Sequence, residues 1–126
     1  DLALLYCDNV IKNIFDFLER EELLDNTAIV ITADHGFSYY FSPVREKYEI
    51  FSLIDHIVCS GEEKLLKPDP KIYQTLLERY NLKAEESVFI DDNINNVKGA
   101  IDMGMKSIRF VNAEQLQKDL NELLNK

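Results

Sequence analysis

Two linked stretches decide the fold, Lys67-Pro68-Asp69-Pro70 and, one helix later, Ser87-Val88-Phe89-Ile90-Asp91-Asp92-Asn93. The run Val88–Ile90 is short, apolar and partly β-branched, which predicts a buried parallel strand. It ends in Asp91 and Asp92, at the strand end where open α/β sheets bind ligands. Adjacent carboxylates repel each other, so the pair indicates a hard cation such as Mg2+. The alternative is that one of the two acids only caps the next helix.

Composition limits the possible partners. The chain has 126 residues, 46% of them hydrophobic, which is enough for one domain with a real core. Its net charge of -9 argues against nucleic acid or an anionic membrane as partner. Cys7 and Cys59 form no metal-ligand spacing, and we expect buried thiols in a reducing cytoplasm. The chain begins at Asp1 rather than Met, which we interpret as a fragment or a processed product.

Further motifs follow one another between residues 42 and 120. They are the segments 45–48, 57–64, 67–73 and 89–92, then Asn96-Val97 with Ala100, and Gly104-Met105. In this order and spacing they resemble the C-terminal half of the core domain of haloacid dehalogenase-like hydrolases. Within this family, the motifs are most similar to those of the subgroup that contains the phosphatase domain of epoxide hydrolases and small sugar-phosphate phosphatases.

This resemblance implies a Mg2+-dependent phosphatase acting on a small phosphorylated metabolite. Thr32, Ser60 and Lys67 would contact the phosphoryl oxygens, and Asp91 and Asp92 would hold Mg2+. A lysine before proline is kept out of the helical region, so its ammonium can point across the site. The family's central strand carries an Asp-x-Asp motif that supplies a nucleophile and a general acid. This sequence contains no such motif.

The first third of the chain resembles a second superfamily. Residues 25–36, which end in Asp34-His35-Gly36, are similar to a metal-binding segment of the sulfatases and alkaline phosphatases. That resemblance implies metal binding by Asp34 and His35, whose carboxylate and imidazole suit Zn2+ or Mn2+. We interpret the chain as a sulfatase-like segment (1–37) joined to a dehalogenase-like segment (42–126), that is, as a chimera or a fragment.

Residues Leu2–Cys7 are ambiguous between helix and strand. The apolar face of residues 10–18 predicts a helix that Asp8 could cap, and the helix could extend back to Leu2. Alternatively, Leu2–Cys7 forms the missing central strand, with Asp8 at its tip. Asp8 could then attack phosphorus and form an aspartyl phosphate. Two residues later stands Val10, so the acid for the leaving group is absent, at a cost of about 10²–10⁴ in rate.

Local signals place the other elements. Strands are predicted at Thr27–Thr32, Ile57–Cys59 and Lys106–Val111, and a short helix at 43–51. Residues 60–64 read as a loop, with His56 a structural residue. Asp69 is expected to cap a helix that begins at Pro70 and ends near Asn81, with its tyrosines in the core. Gly104 ends another helix, and Asn112 with Gln115 predicts a capping box for the last one.

We therefore expect one α/β domain over residues 1–126, a three-layer Rossmann-like parallel sheet of four or five strands with helices on both faces. The predicted function is a cytoplasmic Mg2+-dependent phosphatase whose catalytic set is incomplete in this chain. Two alternatives stay open. One is a sulfatase-like or phosphoglycerol-transferase-like fragment, and the other is a non-catalytic domain that binds Mg2+ or phosphate.

Overall fold

The computed structural model describes residues 2–27, 30–33 and 54–124. Within them, helices alternate with short parallel strands along most of the chain. The helices are α1 (Leu2–Arg20), α2 (Ser60–Glu63), α3 (Pro70–Arg79), α4 (Ile94–Asp102) and α5 (Ala113–Leu124). The strands are β1 (Val30–Ala33), β2 (His56–Cys59), β3 (Val88–Asp91) and β4 (Lys106–Arg109). The helix predicted at 43–51 lies outside the described residues.

The N-terminal segment is helical throughout, so of the two alternatives left open for Leu2–Cys7 the helix occurs and the central strand does not. Three leucines and one alanine at residues 2–5 favour a helix, and no β-branched residue precedes Val10. Asp8 consequently lies inside α1 rather than at a strand tip or at the helix cap. Phe17, which the sequence pattern missed, is the most deeply buried residue described in this helix.

The four strands form two parallel pairs. In one, Val30 of β1 lies opposite His56 of β2; in the other, Val88 of β3 lies opposite Lys106 of β4. Among the described residues, no backbone ladder connects the two pairs. The position expected for an Asp-x-Asp strand is therefore not taken by Leu2–Cys7, and the two pairs do not close up onto each other.

Helices cover both faces of β3, which gives the three layers expected. Phe89 packs with α3 and α4 in one core, which also includes Val58 of β2 and Val30 of β1. Val88 and Ile90 point to the other face, against α1 and α5, in a second core. This alternation follows from the two-residue period of a strand. The first core joins the two strand pairs through shared helices, although no ladder connects them.

Most helix ends agree with the sequence signals. Asp69 caps α3, Asn81 adopts a left-handed conformation just after it, and Gly104 does the same after α4. At α5, Asn112 accepts from the N–H of Gln115, but the Gln115 side chain accepts from Val111 instead of Asn112, so the capping box is shifted by one residue. Residues 60–63 form a helical turn where a loop was predicted. Among the described helices, none has the length and apolar character needed to cross a bilayer.

Candidate active site

The carboxyl end of β3 holds a buried ion pair. The Lys67 ammonium lies 2.8 Å from Oδ2 of Asp91, and the two side chains are 8% and 7% exposed. Lys67 also lies 5.9 Å from the centre of the Phe89 ring, two residues before Asp91 on the same strand face. The structure therefore brings together the two motifs from which the sequence analysis started.

Asp91 is fixed by four hydrogen bonds. Oδ2 accepts from Lys67 and from the Asn96 amide, at 2.8 and 3.1 Å. Oδ1 accepts from the backbone N–H of Asn93 and again from Asn96, at 2.8 and 3.1 Å. An ionised carboxylate offers about four lone-pair positions, so these donors use the acceptor capacity of Asp91. Asn96 thus orients the acid.

The electrostatics favour the ionised form of Asp91. Burial by itself would raise the pKa of this carboxyl, but hydrogen bonds from Lys67 and Asn93 and the charge of Lys67 act in the opposite direction. The net result is a pKa below the ordinary value of an aspartic acid. Asp91 therefore carries its charge at neutral pH.

Asp92 is placed differently, because it lies just beyond the strand and is exposed. Its backbone carbonyl accepts a hydrogen bond from Nε of Arg109 at 3.1 Å. Neither acid caps α4, because Asn93 does so by accepting from the N–H of Asn95. The two adjacent acids therefore face different surroundings. Asp91 is committed to protein donors, and Asp92 presents a carboxylate to solvent at the edge where ligands bind.

Lys67 is held by the start of α3. The Asp69 side chain accepts from the N–H of Lys71 at 2.9 Å, and Pro70 occupies the first turn. The N–H of Asp69 donates to the carbonyl of Leu66 at 2.7 Å, which closes the turn around Lys67. The peptide bond between Lys67 and Pro68 is cis. Local turn chemistry thus fixes the backbone from which the ammonium extends.

Thr32 and Ser60 lie at the carboxyl end of the other strand pair. Thr32 is opposite Val58 in the register, and Ser60 follows directly after β2. The Ser60 hydroxyl is buried and has no hydrogen-bond partner among the described residues. A buried hydroxyl without a partner is costly, so this atom is suited to a ligand or a water. For Thr32 only the backbone is described.

The other predicted site residues are not part of this cluster as described. Asp34 and His35 lie outside the described residues. Asp8 is described only through its helical backbone in α1, and its role as a nucleophile stays an untested prediction whose premise of a strand tip is absent. Within the described part of the chain, no group of three or more His, Cys, Asp or Glu residues is arranged around a common metal position.

Two contributors to the site were not identified from the sequence. Asn93 both caps α4 and donates to Asp91 through its N–H, and Arg109 supports the carbonyl of Asp92 from the end of β4. An Asn at the start of a helical pattern was an available signal for the first. The second needed the register of β3 and β4, which places Arg109 opposite Asp91.

Comparison with known families agrees with this geometry. The model of the haloacid dehalogenase-like hydrolases matches residues 8–104, and so includes both halves of the ion pair. The chain belongs to the haloacid dehalogenase-like hydrolases. The match also spans residues 25–36, so the interpretation of a sulfatase-like segment and a chimera is not supported.

Two relatives of the chain are named for the hydrolysis of phosphate compounds. The chain is 32% identical over 106 residues to flavin mononucleotide hydrolase 1 of Arabidopsis thaliana. This alignment covers 82% of this chain and 43% of that protein. It is 31% identical over 75 residues to a glyceraldehyde 3-phosphate phosphatase of Pyrococcus furiosus, covering 59% of this chain and 31% of that protein. The chain therefore spans less than half the length of these relatives.

Solved structures show the same fold. An uncharacterised protein of Corynebacterium glutamicum superposes with a TM-score of 0.73 at 21% identity, over 99% of this chain and 85% of that one. A haloacid dehalogenase-like enzyme of Bacteroides thetaiotaomicron, solved as an aspartate-to-alanine mutant with magnesium and inorganic phosphate, gives 0.61 at 20% identity over 76% of this chain and 50% of that one. The Rossmann-like α/β class expected from the sequence is confirmed.

Proposed function

We propose that this chain forms the phosphate- and metal-binding part of a Mg2+-dependent phosphatase for a small phosphate monoester. The observation that carries the proposal is the buried Lys67–Asp91 pair at the carboxyl end of β3. Lys67 would supply positive charge to a phosphoryl oxygen, with Asp91 and Asn96 fixing its position. Ser60, and Thr32 on the adjacent strand, would add hydroxyl contacts to the same group.

The residues at the strand end fit Mg2+ that is shared with a phosphate. Mg2+ usually binds to one or two carboxylates, substrate phosphates and several waters. Asp92 provides an exposed carboxylate, whereas the oxygens of Asp91 are already occupied by protein donors. We therefore assign the metal contact to Asp92 and the orientation of Lys67 to Asp91. A bound Mg2+ would neutralise phosphate charge in this site.

Relatives support the substrate class. The two matched relatives are named as hydrolases of flavin mononucleotide and of glyceraldehyde 3-phosphate, both of which are small phosphate monoesters. The Bacteroides enzyme was solved with magnesium and phosphate although one of its aspartates is replaced by alanine. Since this sequence has no Asp-x-Asp motif, we propose that the 126-residue chain by itself binds phosphate and Mg2+ without efficient turnover.

The experiment that tests the proposal is titration of the chain with inorganic phosphate, followed by calorimetry, in Mg2+ and in chelator. Phosphate should bind in Mg2+, weaken about tenfold or more in Lys67→Met, and weaken in chelator and in Asp92→Asn. Lys98→Met, at an exposed lysine of α4, is the matched control and should bind normally.

Hydrolysis of a generic aryl phosphate is measured in parallel. Turnover that needs Mg2+ and is lost in Asp92→Asn would show that a nucleophile is present, and Asp8→Asn would then be compared with the unmodified chain. Binding without turnover is the expected result. Absence of any phosphate binding in Mg2+ would contradict the proposed function.

A further inference from the structure

Helix α4 contacts the turn that carries Lys67 at Gly99. A Cβ atom built on Gly99 would lie 3.0 Å from Cβ of Pro68, 3.0 Å from Cε2 of Tyr73 and 3.1 Å from the carbonyl oxygen of Pro68. These distances are shorter than ordinary van der Waals contacts of about 3.5–4.0 Å. The absent side chain of Gly99 is therefore what allows α4 to approach the turn this closely.

The two residues nearest to a Cβ atom at Gly99, Pro68 and Tyr73, are both linked to the site. Tyr73 is 2% exposed, and its hydroxyl donates to the backbone carbonyl of Asn96 at 2.8 Å, one turn before Gly99. Pro68 has a rigid ring and is bonded directly to Lys67. A displacement at this contact would move either the first turn of α4, which carries Asn96, or the backbone of Lys67.

These contacts form a closed ring. Lys67 pairs with Asp91, Asn96 orients Asp91, α4 links Asn96 to Gly99, and Gly99 packs on Pro68 beside Lys67. We propose that Gly99 is a positioning residue, which sets the distance between the Lys67 ammonium and the Asp91 carboxylate by letting α4 rest on Pro68 and Tyr73. Its effect on the ion pair is independent of the proposed function, whereas its effect on phosphate binding rests on it.

Because alanine has a higher helix propensity than glycine, the sign of the stability change in Gly99→Ala is informative. Gly99 lies in the interior of α4, where alanine is intrinsically preferred over glycine. If Gly99 had no packing role, Gly99→Ala would stabilise the protein. If Gly99 sets the approach of α4, the new methyl group of Gly99→Ala clashes and the stabilisation expected from helix propensity is lost. Gly99→Val adds two further methyl groups and should disturb the site more.

The test is an NMR measurement on the full chain of the Lys67 ammonium signal and its coupling across the hydrogen bond to the Asp91 carboxyl carbon. We expect the signal to shift in Gly99→Ala and to lose the coupling in Gly99→Val. Phosphate affinity in Mg2+ should fall in the same order, about tenfold in Gly99→Val, since small misplacements at a binding site are costly. Lys98→Ala, at the exposed neighbour, should change neither.

A second control separates positioning from loss of stability. Ala100→Gly removes a fully buried methyl group from the same helix and should destabilise the fold while leaving the Lys67 signal in place. An unchanged Lys67 signal in Gly99→Ala, or an equal change in Ala100→Gly, would overturn the proposal. If Gly99→Val does not fold, Gly99→Ala decides. A perturbed Lys67 signal without phosphate binding in the unmodified chain would contradict the proposed function and leave the role of Gly99 intact.

Discussion

The ammonium of Lys67 and the carboxylate of Asp91 meet at 2.8 Å although 24 positions separate them in the chain. One lies in a turn before α3 and the other at the end of β3, and both side chains are more than nine-tenths buried. Burial of two charges is costly unless they pair and their other hydrogen-bonding positions are filled. Here Asn93 and Asn96 fill those of Asp91, so the pair is a stable arrangement and not an accidental contact.

Removal of one partner of the ion pair should therefore destabilise the fold more than removal of both. Lys67→Met leaves a buried carboxylate without its cation, and we expect the free energy of unfolding to fall by about 3 kcal/mol. The double variant Lys67→Met/Asp91→Leu should recover much of this loss, because no unpaired charge is left. Chemical denaturation of both single variants and the double variant measures the coupling. Additive effects would contradict a direct ion pair.

Asp91 should also make stability depend on pH. Its folded-state pKa is lowered, chiefly by Lys67 against the opposing effect of burial, so its ionised form stabilises the fold. That contribution is present above the unfolded pKa of about 3.9 and is lost as pH falls through the folded pKa. In chelator, the stability difference between the unmodified chain and Asp91→Asn should be constant above about pH 5 and should narrow as the pH falls below about 4. A difference that stays constant below about pH 4 as well would refute the assignment.

Asn96 should contribute more to the free energy of unfolding than its neighbour Asn95 in α4. It is 6% exposed and donates to both oxygens of Asp91, so Asn96→Ala leaves a buried acid short of donors. We expect a loss of about 1–3 kcal/mol in the free energy of unfolding. Asn95→Ala, at an exposed position whose backbone N–H still reaches Asn93, should stay within about 0.5 kcal/mol of the unmodified chain. Thermal unfolding of both variants tests this, and equal losses of stability would argue against a special role of Asn96 in holding Asp91.

The cap of α3 should be separable from the ion pair. Asp69→Ala removes the acceptor for the N–H of Lys71 and should cost about 1 kcal/mol. Asp69→Asn keeps a side-chain oxygen at the same place and should cost little. Denaturant unfolding compares the two variants. A loss in Asp69→Asn as large as that in Asp69→Ala would show that the charge, not the cap, is what matters.

Local sequence signals predicted the features that depend on neighbouring residues. The cap at Asp69, the left-handed residue at Asn81 and the helix end at Gly104 each follow from short-range geometry, and all three occur. The capping box of α5 was predicted at the right place, but the N–H that donates to the Gln115 side chain is that of Val111 instead of Asn112. Leu2–Cys7 stayed ambiguous because a short apolar run fits a strand or a helix, and the structure shows a helix.

Short stretches of sequence were enough to predict the α/β class, the strand that ends in two acids and the lysine expected to face them. The spacing of hydrophobic residues and the turn-forming residues are local properties of the chain. The tertiary fold determines the different surroundings of the two acids. Asp91 and Asp92 are chemically identical and adjacent, but strand alternation turns one toward Lys67 and Asn96 and leaves the other exposed. It also decided that α4 approaches Pro68 through Gly99, because that contact joins segments distant in the chain.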